Sequence, residues 1–90
     1  MPQFLFAVED RFLIRGRGLV LAPGVCVSNP HKLVAGDRLL LKAVDGLAIQ
    51  TTLAGLEHLD PNPRQLLPLL VNDPDAIDVP IGTEVWLIDR

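Results

Sequence analysis

Ninety residues make a single domain, 1–90, because domains typically run from roughly 50 to 250 residues. The chain is 49% hydrophobic with a net charge of −3 and a pI of about 5.1, which supplies a core but not the basic character that tight nucleic-acid binding needs. One cysteine excludes an internal disulfide, and no apolar run approaches the roughly 18–20 residues of a membrane span, so a cytoplasmic protein with no membrane contact is expected.

The charge is uneven: residues 1–42 carry +3 and residues 43–90 carry −6. Eight prolines and seven glycines are spread along the chain, the punctuation of a turn-rich all-β domain rather than a linker. No basic stretch followed by an apolar one opens the chain as a signal peptide would.

Phe4 to Val8 is a compact apolar run that predicts a strand buried on both faces. Arg11 to Ile14 follows after Glu9-Asp10, with Phe12 and Ile14 on one face and Arg11, Leu13 and Arg15 on the other. Gly16-Arg17-Gly18 breaks the pattern and predicts a bulge, after which Leu19 to Leu21 continues the strand. Ala22-Pro23-Gly24 predicts a turn, and Val25 to Val27 a short strand ended by Ser28-Asn29-Pro30.

Arg38 to Val44 predicts a strand with Leu39, Leu41 and Ala43 inward and Leu40 outward. Asp45-Gly46 predicts a type I′ hairpin into Leu47 to Leu56. Leu66 to Val71 is apolar on both faces, but Pro68 lacks a backbone donor, which points to an edge or bulged strand. Asp73 to Ile77 predicts one helical turn with Asp73 as its cap, Ile81-Gly82-Thr83 a turn, and Glu84 to Ile88 the last strand. Prolines exclude a helix of ten residues, and no internal repeat stands out. The expected fold is all-β, a small closed antiparallel barrel of six to seven strands.

Few residues suggest chemistry. Glu9-Asp10 reads as carboxylates accepting local backbone donors, or as an acidic patch for a cationic group such as an α-amino group. Phe12 and Trp86 are expected in the core. Arg11, Arg15 and Arg17 share a face as solvated surface, or as contacts to phosphate or a partner's carboxylates. Cys26, His31 and His58 match no metal or nucleophile–base spacing, and Cys26 reads as inert core. Asp73, Asp75 and Asp78 lack the glycine and glutamate of a calcium loop, and no phosphate-binding loop precedes a helix. A protein without enzymatic activity, metal, cofactor or bound GTP is expected. An apolar outer face around Leu40, Leu66 and Leu70 is the candidate interface for a protein partner or a second copy.

The order Phe4-Leu5, Glu9-Asp10, Phe12, Ile14, Gly16-Arg17-Gly18 resembles the opening of the second domain of elongation factor Tu and its translational GTPase relatives. Lys32 to Asp37, Leu53 to Glu57, and Gly82 to Val85 resemble later stretches of that family more loosely. The chain departs from the pattern at Leu21-Ala22-Pro23, His58-Leu59 and Val71-Asn72. The resemblance implies a translation-protein-type β-barrel standing alone, with no place for a GTPase domain ahead of Phe4. It also implies a ligand site at Glu9, Asp10 and Phe12, by the aminoacyl group of a charged tRNA, and at Glu57, by the terminal adenosine. A translation-linked binder of RNA or of the aminoacyl-tRNA acceptor end is therefore the alternative to a protein-docking module, with RNA affinity kept weak by the acidic pI.

Overall fold

A computed structural model describes residues 2–26, 33–58, 65–71 and 79–89. Seven strands run through them: β1 Gln3–Ala7, β2 Asp10–Ile14, β3 Gly18–Cys26, β4 Arg38–Lys42, β5 Ala48–Leu56, β6 Leu66–Val71 and β7 Glu84–Asp89. All pairings are antiparallel and join one sheet in the order β1-β7-β4-β5-β6-β3-β2. No helix forms among the described residues, and none is long and apolar enough to cross a membrane. The expected helical turn Asp73–Ile77, together with Val27, His31, Asp73, Asp75 and Asp78, lies outside the described residues.

The hydrogen-bonded order has two ends, β1 and β2, and these are consecutive in the chain. Val8 and Glu9 join them, and each bonds a different part of the sheet. The Val8 N–H donates to the Thr83 carbonyl ahead of β7, and the Glu9 N–H to the Ala22 carbonyl in β3, both at 2.8 Å.

One core lies on one side of the sheet. Alternation along each strand sends Phe6, Leu19, Leu21, Leu39, Leu41, Leu53, Leu69, Val71, Val85 and Leu87 into it, and Val8, Val25, Leu33 and Val79 complete it. Leu39 and Leu41 are inward as expected, while Leu40 is half-buried on the other face.

Three expectations about turns are corrected. Gly16 to Gly18 is not a bulge within a strand but the hairpin joining β2 to β3. Ile14 pairs with Gly18, and the Arg17 N–H donates to the Ile14 carbonyl at 3.0 Å. Gly16, at φ +79°, fills the third turn position, which type II geometry requires to be positive. Asp45-Gly46 does make a hairpin, but not of type I′, which needs positive φ at both residues. Among the described non-glycine residues only Gln65 has positive φ, and the Gly46 N–H bonds the Ala43 carbonyl, so Gly46 follows the turn as a bulge residue. Residues 22–24 do not end a strand either; they are an irregularity inside β3.

That irregularity explains Pro68. β3 pairs with β6 through Leu21–Leu69 and Val25–Leu67, with the register shifted between them. The extra residues of β3 lie across from Pro68, so no ladder bond is asked of its missing N–H. β6 is thus bulge-paired as its proline predicts, but it is an interior strand rather than an edge. Gly24, at φ +96°, is where the two backbones meet: a Cβ there would overlap the Leu67 carbonyl and stand 2.5 Å from the Pro68 nitrogen.

A structural repetition also escapes the sequence pattern. Residues 33–39 and 79–85 fold alike ahead of neighbouring strands β4 and β7. The Asp37 and Thr83 N–H groups bond the carbonyls of Val34 and Pro80, while the Gly36 and Gly82 N–H groups bond those of Leu53 and Val8. In return the Leu53 and Val8 N–H groups donate to the Asp37 and Thr83 carbonyls. Both turn side chains are buried and bonded back three residues: Asp37 Oδ2 accepts the Val34 N–H at 3.0 Å, and Thr83 Oγ1 donates to the Pro80 carbonyl at 2.7 Å.

Candidate functional site

The four residues singled out by resemblance fall in two places. Glu9 and Asp10 are exposed at the start of β2, and Asp10 Oδ1 accepts the N–H of Arg11 at 2.8 Å, the local backbone role its position suggests. Phe12 is not a core residue. It stands 53% exposed on β2, opposite Val20, on the face away from the core. Glu57 follows β5, its N–H bonded to the Pro68 carbonyl and its carboxylate paired with Arg17 at 2.7 Å.

Strands β3 and β6 lie between β2 and β5, so Glu9, Asp10 and Phe12 form one group and Glu57 belongs to another. The Arg17–Glu57 pair bridges them, reaching from the β2–β3 hairpin across to the end of β5. Beneath that reach, Phe12, Val20, Leu70 and Gly55 make one cross-strand row on the outer face. Val20 and Leu70 are buried there although neither belongs to the core cluster. Leu70 is therefore already covered, which removes it from the candidate interface. Leu66, opposite Cys26, is half-buried, and Cys26 is exposed rather than core. Arg15 and Arg17 sit in the hairpin turn, so the three early arginines do not share one strand face.

The outer face of β1, β7 and β4 presents a more complete arrangement. Phe4 pairs with Trp86 and Trp86 with Leu40, a continuous apolar row across three strands. Phe4 is 50% exposed, while Trp86 and Leu40 are half-buried. The two rings meet edge to face, centroids 5.4 Å apart at 69°, a favoured aromatic geometry. Trp86 Nε1 donates to Glu84 Oε1 at 3.0 Å, which fixes the indole from its polar side. Charged and polar groups flank the row: Lys42 opposite Glu84 on one side, and Arg38, whose guanidinium donates to Gln50 at 3.0 Å, on the other.

Trp86 is thus not the core plug its size suggests. Val85 and Leu87 fill the core from β7, and alternation leaves Trp86 beside Glu84 on the other face. The signal in the sequence was that Glu84–Trp86 spacing of two, which puts the tryptophan on the charged side of its strand.

Hollows are small. A cleft of about 80 Å³ opens among Leu41, Ala43, Leu47, Ile49, Val79 and Thr83. A more polar groove of about 200 Å³ lies along Lys42, Ala43, Val44, Gly82 and Glu84. Both fall short of the roughly 300–1,000 Å³ usual for a small-molecule site. Among the described residues no three His, Cys, Asp or Glu side chains cluster as a metal site would need. Compared with family models, with curated proteins and with solved structures, the chain matches nothing.

Proposed function

We propose that this chain is a non-catalytic binding module that docks a protein partner on the outer face of β1, β7 and β4. The observation that carries this reading is the Phe4–Trp86–Leu40 row, apolar, partly exposed and held in one geometry by ring contact and by the Glu84 bond. Tryptophan anchors inside a polar rim are what protein interfaces concentrate their binding energy in. A pre-fixed indole loses little freedom on binding, which favours affinity.

The fold in this reading is a closed barrel of the elongation factor Tu domain 2 type, working in the cytoplasm. Support for closure comes from the two sheet ends being consecutive in the chain, with the residues between them bonded to Thr83 and to Ala22. Support for the family type remains the order of residues from Phe4 to Gly18. For the alternative ligand, the aminoacyl acceptor end, Glu57 would first have to release Arg17.

The test is to isolate the partner by crosslinked capture from the native cell and measure its affinity for wild type, Phe4→Asp and Leu40→Asp. Each substitution is expected to weaken binding by about thirtyfold or more, the measure of an interface hot spot. Affinity should change little with salt. Binding that both variants retain, or that is to RNA and collapses as salt rises, would overturn the reading.

A further inference from the structure

We infer that the cleft beside the β4–β5 hairpin receives the first residue of a polypeptide, its aliphatic side chain inside and its α-ammonium on Asp45. The cleft exists because two strands part there. β4 and β7 pair as far as Lys42–Glu84. Beyond that rung the Ala43 N–H turns back to the Leu47 carbonyl, and the Thr83 carbonyl turns away to the Val8 N–H. The hollow between them has buried walls, Leu41 and Val79, and an exposed apolar rim, Leu47 and Pro80. Exposed Ile81 follows Pro80, so several apolar side chains surround the opening, as at sites that meet another chain.

Size and charge select the occupant. About 150 Å³ holds the six carbons of benzene, so the cleft's volume of about 80 Å³ holds three or four carbons. That is the side chain of valine or leucine and not an aromatic one. Asp45 is the one charged side chain on the described lining. It is exposed at the rim, where Oδ1 accepts the Leu47 N–H at 3.0 Å and Oδ2 is left for a ligand. A carboxylate there repels the free carboxylate of a chain's C-terminus. It does not suit an inserted lysine either, whose charge lies at the far end of its stem and would be buried unpaired between Leu41 and Val79. An N-terminal residue carries its charge at the base of its side chain, so the ammonium stays at the rim while the aliphatic group goes in. The chain then has a path onward. Ala43 also lines the groove of about 200 Å³ along Lys42, Val44, Gly82 and Glu84. Lys42 forms no ion pair among the described residues, not even with Glu84 opposite it, and its ammonium is left to donate to the first peptide carbonyl. The rest of the groove takes the residues that follow, room that a free amino acid would leave empty.

The site uses none of Phe4, Trp86 and Leu40, so it goes beyond the docking face and either can fail without the other. The experiment titrates the isotope-labelled chain with Leu-Gly-Gly-amide, its N-acetyl form, Phe-Gly-Gly-amide and leucine, following backbone amides by NMR. Leu-Gly-Gly-amide should saturate at millimolar concentration and move the amides of Ala43, Leu47 and Thr83. Acetylation removes the ammonium and phenylalanine overfills the cleft, so each should bind at least about tenfold more weakly. Asp45→Asn keeps the Oδ1 acceptor for Leu47 but loses the charge, and should weaken Leu-Gly-Gly-amide by about tenfold. Leu40→Asp should bind it as wild type does, and thermal melts confirm that both variants fold. Failure of Leu-Gly-Gly-amide to saturate would overturn the inference, as would shifts centred on Trp86 or leucine binding more tightly than the peptide. Equal binding of the acetylated or the phenylalanine peptide, or full affinity in Asp45→Asn, would overturn it as well.

Discussion

Gly24→Ala tests the packing of β3 on β6. Gly24 holds φ +96°, a conformation costing an L-residue roughly 1–2 kcal/mol. A methyl there also meets backbone rather than a yielding side chain: the Leu67 carbonyl and, at 2.5 Å, the Pro68 nitrogen. No rotamer change relieves that contact, so β3 and β6 must part, and overpacking of this kind adds about 1–3 kcal/mol or more. Together the cost should be about 2–5 kcal/mol. A domain of this size has only about 5–13 kcal/mol in all, so the variant should lose a large share of its stability. Gly16→Ala is the matched control, since Gly16 is also at positive φ but a Cβ there meets nothing within 4 Å. It should lose only the conformational part, about 1 kcal/mol. Urea unfolding followed by the fluorescence of Trp86, the one tryptophan, measures both. Equal losses at the two glycines would show that β3 and β6 do not approach as described.

Thr51 is buried on the core face and its Oγ1 has no hydrogen-bond partner among the described residues. Thr51→Val should therefore stabilise by about 1 kcal/mol, raising the melting temperature by roughly 4–8 °C in calorimetry. Asp37→Ala leaves the Val34 N–H without its 3.0 Å acceptor, and denaturant titration should show a loss of about 1–3 kcal/mol. The Arg17–Glu57 pair is partly exposed, so a double-mutant cycle with Arg17→Met and Glu57→Gln should give about 1 kcal/mol or less, shrinking as salt rises.

Much of the fold is legible in the residues because a strand's period of two is written directly in them. Leu39 and Leu41, Thr51 and Leu53, and Val85 and Leu87 alternate cleanly and occupy the core side. What the pattern conceals is how a strand ends. Gly16-Arg17-Gly18 and Ala22-Pro23-Gly24 look alike as interruptions, yet one reverses the chain and the other only displaces it by a bulge. The difference lies in whether the flanking segments pair with each other, as Ile14 does with Gly18, or with a distant strand, as Leu21 does with Leu69. The same limit misplaced the aromatics. Phe12 and Trp86 are large and apolar, which argues for burial, but each shares its face with a carboxylate two residues away, Asp10 and Glu84. Leu70, in turn, is covered on the outer face by neighbours that no local pattern reveals. Glu57 shows its ion pair with Arg17 only once β3, β6 and β5 stand side by side.

The central claim is that the β1–β7–β4 outer face meets a protein partner. A photo-crosslinking amino acid placed at Leu40, with a control at the exposed Val34 in the turn before β4, tests it directly in the native cell. The account predicts one discrete protein adduct from position 40, absent from position 34 and suppressed by excess wild-type chain but not by Phe4→Asp. Adducts of equal pattern from both positions, or RNA in place of protein at position 40, would contradict it.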